Sequence, residues 1–268
     1  MISWNVNGLN SPIKRSKCLD YLHRKRADIA LIQESHLKAS DVTHFQNRHF
    51  KVIAFSSYNS ASRGVIILQN RKFPFLIEKT GEDENGLFTY ASPSWNNLKM
   101  VLFSVYSPNN NDVDFNFVVN FVDYNLVVEI DANAVCNPLI DRSLVSVHGD
   151  QASQSLNELI ADNDFCDIWK VKNGSCRDYT FYSARHNSFS RLDYIFISKS
   201  LTQGVNHIDI LPILISDHSA VICNLSPPII PPSSKRWRMN TTFLQNEDFV
   251  KQLRSKLSLF QRNLELIY

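Results

Sequence analysis

The chain has 268 residues, of which 44% are hydrophobic, so it can bury the core of one large domain or two small ones. The formal charge is only +2, so the chain has no overall positive field that would indicate a nucleic-acid partner. A local basic face could still bind nucleic acid. The five cysteines are scattered and include no Cys-x-x-Cys pair, which excludes the ligand spacing of a zinc site or a redox motif. The sequence has no signal-peptide pattern and no long apolar run, which predicts a cytosolic or nuclear protein without a membrane partner.

Short runs rich in Val, Ile, Phe and Tyr recur along the chain and predict strands. In chain order they are ISWNV, ADIALIQES, FKVIAFSS, RGVIILQ, LFTYA, LKMVLFSVY, NLVVEID, RLDYIFIS and HSAVICNL. Helical patterns cover Pro12 to Arg26 and Ser153 to Asn163. Because several strands follow one another without a helix between them, two packed sheets are expected rather than simple βαβ winding.

The composition changes after Leu225. The stretch SPPIIPPSSKRWRMN is rich in proline and then basic, which predicts an extended linker over residues 226–240. Residues 241–268 carry spaced apolar and charged side chains that predict one or two helices, too short to own a core. The expected organisation is one domain over residues 1–225, a linker, and a truncated helical segment.

Several predicted strands end in a polar side chain capable of chemistry. These residues are Asn5, Glu34, Tyr106, Asp131, Asn133, Asp193, Asp217 and His218. Any one of them is more often a satisfied turn residue than a catalyst. Because active sites gather where strand ends and loops converge, the set together predicts a site at one edge of the sheets.

The chemistry that fits this set is metal-assisted phosphodiester hydrolysis. Oxygen ligands suit Mg²⁺ or Mn²⁺, with Glu34 as the first choice of ligand. A carboxylate or amide would orient the attacking water, and His218 supported by Asp193 or Asp217 would stabilise or protonate the charged phosphorane. An acyl-transfer site is disfavoured because no Gly-x-Ser-x-Gly elbow is present.

The motifs SWNVNGLN, LIQESHL, VYSPN, IDAN, DYTFYS, SRLDYIFIS and SDHSAV, in that order, resemble the endonuclease/exonuclease/phosphatase superfamily over about residues 2–225. Within it, NVNGLNSPIKR, LIDRS and KRWRMNTTFL are most similar to the apurinic-like endonuclease of vertebrate LINE (non-LTR) retrotransposons, and there is also similarity to exonuclease III-type AP endonucleases. In such elements the endonuclease precedes a reverse transcriptase, which would be its partner in the parent protein.

The resemblance implies a four-layer α/β sandwich, with two mixed, mainly antiparallel sheets packed face to face and flanked by helices. It also implies metal binding by Glu34 and Asn5, with Asp217 close to the metal and the phosphate.

The same resemblance implies the catalytic roles. Tyr106 would contact the scissile phosphate, and Asp131, helped by Asn133, would orient the water. His218 would face the phosphate, with its ring oriented by Asp193.

Further residues are expected to support the site or to contact DNA. These are Thr180, Ser216, Asn7 and Arg191. Two basic groups could form a rim for DNA phosphates, although the first group reads equally well as a solvated helix face. They are Lys14, Arg15 and Lys17, and then Arg177, Arg185 and Arg191.

Three departures from the family pattern bear on activity. Glycine usually precedes the aspartate, whereas this chain has Glu129, Ile130, Asp131 and Ala132, so Asp131 could be displaced and Glu129 could add a charge to the site. The chain also begins only four residues before Asn5. The span from Tyr106 to Asp131 is a few residues shorter than usual in the family, and the stretch FNFVVNFVDYN within it makes a poor amphipathic helix.

Three functions remain open from the sequence. The first is a monomeric, divalent-metal-dependent DNA endonuclease of a retrotransposon that nicks one strand and leaves a 3′-hydroxyl, with an activity that motif decay could weaken. The second is an inactive remnant that binds nucleic acid or only folds. The third is an endonuclease for abasic sites in DNA repair.

Overall fold

A computed structural model describes residues 1–73, 75–95, 98–108, 120–121, 123–144, 151–226 and 250–251. The chain divides into two compact units, Met1–Pro228 and Ile229–Tyr268. The predicted linker and nearly all of the predicted C-terminal helical segment lie outside the described residues, so the expected domain organisation stays a prediction. Most of the stretch FNFVVNFVDYN lies outside them as well.

The first unit contains fourteen described strands and three described α-helices. The strands are β1 (Ile2–Asn5), β2 (Ile29–Gln33), β3 (Phe50–Ser56), β4 (Val65–Asn70), β5 (Leu76–Glu82), β6 (Phe88–Trp95), β7 (Leu98–Tyr106), β8 (Asn125–Asp131), β9 (Phe165–Asp167), β10 (Phe181–Ser183), β11 (Ser188–Ser190), β12 (Asp193–Ser198), β13 (Val205–Ile210) and β14 (Val221–Leu225). The helices are α1 (Pro12–Arg24), α2 (Gln151–Asp162) and α3 (Ile168–Asn173), and short 3₁₀ helices cover Val42–His44 and Lys199–Gly204.

Two six-stranded sheets form the body of the fold. Their strand orders are β13-β14-β1-β2-β4-β3 and β5-β6-β7-β8-β12-β9. Each sheet has one parallel pair, β1 with β2 and β7 with β8, and all its other pairs are antiparallel. The expected pair of mixed, mainly antiparallel sheets is therefore confirmed. A separate two-stranded ribbon pairs β10 with β11.

Three apolar layers hold the sheets and helices together. One cluster lies between the sheets and joins Leu31 and Ile67 of the first sheet to Leu102 and Val127 of the second. A second cluster packs α1 on the outer face of the first sheet, and a third packs α2 on the outer face of the second. Because strand side chains alternate between faces, each central strand contributes to two layers. The result is the expected four-layer sandwich.

The boundaries of α1 follow from local chemistry. The Ser11 side chain accepts a hydrogen bond from the backbone N–H of Lys14, and Pro12 occupies the first helical turn, where its missing N–H costs nothing. The helix was expected to run to Arg26 but ends at Arg24, because Arg26 adopts a positive φ of 55°.

Several elements were not predicted. Five strands lack the clear apolar run that would predict them: β5, β9, β10, β11 and β13. Some of them are only three residues long, and others carry many polar side chains, as edge strands do. The last strand begins at Val221, because Asp217 and His218 lie in the loop before it. In the described part of the chain, we find no helix with the length and apolar character that crossing a membrane would require.

Candidate active site

Four strand ends from both sheets meet at one edge of the sandwich. Asn5 ends β1, and Glu34 directly follows β2, its parallel neighbour. Tyr106 and Asp131 end the parallel strands β7 and β8 and lie opposite each other in register. Asp193 begins β12, which runs antiparallel, and is the register partner of Asp131. The two parallel pairs therefore bring four of the predicted residues to the same edge, and the antiparallel strand β12 adds Asp193 as the fifth.

Asp131 is fully buried and held by two hydrogen bonds. The amide Nδ2 of Asn5 donates to Oδ2 at 2.6 Å, and the backbone N–H of Asn133 donates to Oδ1 at 3.1 Å. Burial raises the pKa of the Asp131 carboxyl above its ordinary value, and the neighbouring charge of Asp193 raises it further. The carboxyl is therefore a better proton acceptor than a solvated aspartate.

His218 and Asp193 form a buried pair. Nδ1 of the imidazole lies 2.8 Å from Oδ2 of Asp193, and the ring of Phe181 packs 4.8 Å from the imidazole centroid. Burial lowers the pKa of His218, but the charges of Asp193 and Asp131 outweigh it, so the net pKa lies above the ordinary value. With Nδ1 bonded to Asp193, Nε2 is the ring nitrogen left for a proton at a reacting group.

Glu34 lies at the other end of the same hydrogen-bond network. Burial raises the pKa of its carboxyl, but hydrogen bonds from His36, Tyr106 and Asn5 bring the net pKa below the ordinary value. The hydroxyl of Tyr106 in turn accepts a hydrogen bond from Asn133. Glu34 is therefore ionised at neutral pH, and 20% of its side chain is exposed.

His36 belongs to the site although sequence reasoning did not select it. Its Nε2 lies 3.2 Å from Oε2 of Glu34, and its side chain is only 14% exposed. The signal was available in LIQESHL, where a histidine stands two residues after the candidate ligand.

The loops at the site are conformationally strained. Asn7, Glu34, His36 and Asn133 all have φ values between 44° and 52°, in the left-handed region. Such backbone costs on the order of 1 kcal/mol per residue and concentrates at functional sites. Asparagine and histidine adopt this region more readily than most residues, whereas glutamate at position 34 does not favour it.

The loop residues Asn7, Ser216 and Asp217 bind one another. Asn7 donates from Nδ2 to Oδ1 of Asp217 at 3.0 Å, and the Ser216 hydroxyl donates to the carbonyl oxygen of Asn5 at 2.8 Å. The Nζ of Lys14 donates to the carbonyl oxygen of Asn7 at 2.8 Å. These contacts fix the first and last motifs to each other, and they give Lys14 a structural role.

Thr180 supports the backbone that carries Asp193. Its buried hydroxyl oxygen accepts hydrogen bonds from the backbone N–H groups of Leu192 at 2.9 Å and Asp193 at 3.1 Å. Thr180 therefore acts inside the protein, where it positions the partner of His218.

Replacing Thr180 with valine, which keeps the shape but removes the acceptor, should lower the free energy of unfolding by on the order of 3 kcal/mol, since two buried N–H groups lose their partner. Urea unfolding would measure the loss. The control is Thr80→Val on the exposed edge strand β5, expected to change stability little. Equal effects of the two changes would contradict this role for Thr180.

Arg191 was expected to support the site or to contact DNA phosphates, and the structure corrects the second of these expectations. Its side chain is 1% exposed and forms ion pairs with Asp141 and Asp167. A guanidinium that is buried and paired on both sides cannot reach a DNA backbone.

The Glu129 side chain does not enter the site. It is completely buried in the layer between the sheets, on the same face as Asp131 but one register step deeper, where Ser104 is its partner on β7. Ile130 points the other way, into the cluster under α2. Burial raises the pKa of Glu129 to about 8, against smaller lowering effects from the N-terminal ammonium and the Ser3 hydroxyl. The expected extra negative charge near Asp131 is therefore absent at neutral pH.

One group of potential metal ligands stands out among the described residues. Ligand atoms of Asp131, Asp193 and His218 all lie within 4.8 Å of one another. Oδ1 of Asp193 is buried and lacks a hydrogen-bond partner in the part of the chain that the structure describes. This group is adjacent to the predicted ligands Glu34 and Asn5 and joined to them through the hydrogen bond of Asn5 with Asp131.

An open cavity of about 490 Å³ borders the site. Asn133 and Leu192 lie on its site side, and Phe181 and Phe189 of the β10–β11 ribbon contribute aromatic surface. The cavity offers space for a flat or sugar-sized group beside His218.

Comparisons with known proteins agree with this architecture. The chain is 24% identical over 262 residues to the "Transposon TX1 uncharacterized 149 kDa protein" of Xenopus laevis, covering 93% of this chain and 20% of that protein. The present chain thus spans about a fifth of the length of that relative.

Solved structures share the fold. The AP endonuclease LMAP from Leishmania major superposes with a TM-score of 0.69 at 18% identity, covering 84% of this chain and 87% of that one. The 3′-5′ exonuclease NExo from Neisseria meningitidis gives 0.64 at 15% identity, covering 84% and 98%. The family model described as "Endonuclease/Exonuclease/phosphatase family" matches residues 2–218, from the first site strand to His218, and the chain belongs to that family.

Proposed function

We propose that this chain is a divalent-metal-dependent DNA endonuclease that hydrolyses a phosphodiester bond and leaves a 3′-hydroxyl. The observation that carries the proposal is the buried pair of His218 and Asp193, 2.8 Å apart, with Asp131 beside it and the ionised Glu34 at the far end of one hydrogen-bond network. A proton donor, a proton acceptor and an anionic ligand are thus held at one edge by rigid strands.

The residues divide the chemistry between them. Asp131, with its raised pKa and with Asn133 beside it, orients a water molecule and accepts its proton. The water oxygen bonds to phosphorus, the bond to the 3′ oxygen breaks, and the leaving 3′ oxygen takes up a proton from solvent to become the 3′-hydroxyl. His218, held by Asp193, donates a hydrogen bond or proton to the charged phosphate. Tyr106, whose pKa lies above the ordinary value because of burial and the charge of Glu34, stays a neutral hydroxyl, and its proton, bonded to Glu34 here, would turn to a phosphate oxygen when DNA binds.

The residues present fit a hard divalent cation. Glu34 offers an ionised, partly exposed carboxylate, and Oδ1 of Asp193 is a second buried carboxylate oxygen, without a hydrogen-bond partner among the described residues. Glu34 with Asn5 and Asp217 would hold Mg²⁺ or Mn²⁺. The ion would neutralise phosphate charge and polarise the phosphoryl oxygen.

Removing the metal with EDTA should abolish nicking of supercoiled plasmid, and Mg²⁺ should restore it. Glu34→Gln removes the charged ligand, so the Mg²⁺ concentration for half-maximal nicking should rise at least about tenfold, while Asp193→Asn should lower the rate with little change in that concentration. The reverse pattern would assign the ion to the group of Asp131, Asp193 and His218.

The transposon relative supports a retrotransposon origin. In that setting a nick with a 3′-hydroxyl would supply the primer for a reverse transcriptase encoded in the same parent protein. DNA is the substrate under this proposal, and the reverse transcriptase is the intramolecular partner. An inactive remnant would fold equally well, but it would show no metal-dependent nicking.

The cavity beside Asn133 favours a second candidate, cleavage at abasic sites. A nucleotide without a base, or one displaced from the stack, could enter 490 Å³ of space lined by Phe181 and Phe189. The comparison is the cleavage rate on matched duplexes with and without one abasic site. A strong preference for the abasic duplex would favour repair, and equal rates on both would favour the retrotransposon nuclease.

A further inference from the structure

We infer that Arg191 is a positioning residue for the reaction, which holds the strand end carrying Asp193 against the loop carrying Asn133. This inference rests on the proposed function for its rate measurements. It assigns the arginine of the RLD motif an internal role in place of a DNA contact.

The guanidinium of Arg191 is a buried junction between three segments. Its Nε donates to Oδ1 of Asp141 at 3.0 Å, and its two terminal nitrogens donate to both oxygens of Asp167 at 3.1 and 2.7 Å. The planar group also lies over the rings of Trp169 and Tyr194, at 5.2 and 4.4 Å from their centroids. Three N–H groups of the fork are therefore bonded to two aspartates, and two aromatic rings pack against it.

The backbone of Arg191 joins the same segments. Its N–H donates to the carbonyl oxygen of Asp141 at 2.9 Å, and its carbonyl accepts from the Tyr194 hydroxyl at 2.7 Å. That hydroxyl in turn accepts from the backbone N–H of Cys136 at 3.0 Å. The loop 132–141 and the start of β12 are thereby locked together.

The lock lies next to the reacting groups. Leu192, the residue after Arg191, accepts a hydrogen bond from the N–H of Ala132 at 2.9 Å, between Asp131 and Asn133. Asp193 follows and pairs with His218. A shift of Arg191 would therefore be transmitted to the proton donor through Asp193 and to the water-orienting loop through Ala132.

The substitutions remove this junction to different degrees. Arg191→Met removes all charged contacts of the guanidinium: Asp141 keeps its ion pair with Lys170, whereas the carboxylate of Asp167 loses its ion pair with Arg191. Arg191→Lys keeps the charge but has one donor group in place of a fork. Asp167→Asn is nearly isosteric and can still accept hydrogen bonds, so it loosens the junction while sparing the fold. Arg24→Met, on the exposed last turn of α1, is the control for removing an arginine.

The experiment measures three quantities for each variant that urea unfolding shows to be folded: the DNA dissociation constant, its salt dependence, and the single-turnover cleavage rate with saturating enzyme. We expect the rate to fall about 100-fold for Arg191→Met and about tenfold for Asp167→Asn, with DNA affinity and salt slope close to those of the parent. Arg191→Lys should recover part of the rate. A merely structural role would lower stability without changing the rate per folded molecule.

Parent-like cleavage by folded Arg191→Met or Asp167→Asn would overturn the inference, as would a loss confined to affinity with a shallower salt slope, which marks a phosphate contact. If Arg191→Met does not fold, the cleavage rate of Asp167→Asn tests the inference in its place. If the parent does not cleave DNA, the proposed function fails, and the nuclear magnetic resonance signal of the His218 Nδ1–H tests the positioning role separately. Faster solvent exchange of that proton in Asp167→Asn supports it, and unchanged exchange overturns it.

Discussion

Replacing His218 with alanine should reduce nicking of supercoiled plasmid about 1,000-fold while DNA binding stays near the parent value. The imidazole combines a raised pKa with a ring held by Asp193 through Nδ1, which leaves Nε2 for the phosphate, so its loss removes the proton donor. The measurement is the rate of conversion to open circle in Mg²⁺, with binding followed separately by mobility shift.

His207→Ala is the matched control, since His207 is an exposed histidine on β13, away from the hydrogen-bond network. It should nick DNA as the parent does. If the parent and His218→Ala nick at the same rate, the cleavage comes from elsewhere and the proposed mechanism is wrong. A folded parent with no metal-dependent nicking at all would identify the chain as an inactive remnant.

Replacing Glu129 with glutamine should stabilise the protein, and by more as the pH rises. The Glu129 carboxyl has a pKa of about 8 in the folded protein against an ordinary value of 4.5, because it is buried between the sheets. Between these values the unfolded chain has released the proton and the folded chain retains it. The free energy of unfolding therefore falls by about 1.4 kcal/mol per pH unit across that window.

Glutamine is nearly isosteric and cannot ionise, so the variant lacks this decline. Its stability relative to the parent should increase by on the order of 4 kcal/mol between pH 5 and pH 8. Urea unfolding at the two pH values measures the difference. Glu158→Gln on the exposed face of α2 is the control and should follow the parent at both. Parallel pH profiles for Glu129→Gln and the parent would show that the carboxyl is already ionised when buried.

The sequence predicted which polar residues end the central strands better than it predicted the boundaries of the elements. Asn5, Tyr106 and Asp131 end long apolar runs, and the position of a polar residue at the end of such a run is visible without a structure. The strands β5 and β13 were missed because they are edge strands, whose charged and polar side chains obscure the alternation of apolar and polar residues that predicts a strand.

The roles of individual polar residues could be assigned only from the three-dimensional structure. Arg191 and Glu129 are charged types that sequence reasoning places at a surface or in a site, yet both are buried. Arg191 is tolerated because two aspartates from distant segments surround it, and Glu129 because burial keeps it protonated. Neither compensation can be read from neighbouring residues in the chain.

The position of β1 in the first sheet has a consequence for synthesis of the protein. This strand lies between β2 and β14, and the Ser216 hydroxyl that bonds to the carbonyl of Asn5 is 211 positions away. At about 5–20 residues per second, a ribosome adds the second neighbour roughly ten to forty seconds after the first strand. During most of that time β1 has one open edge, and Asp193 and His218 have not yet been added. Under the proposed function, a nascent chain would therefore not cut nucleic acid until Asp193 and His218 have joined the first strands.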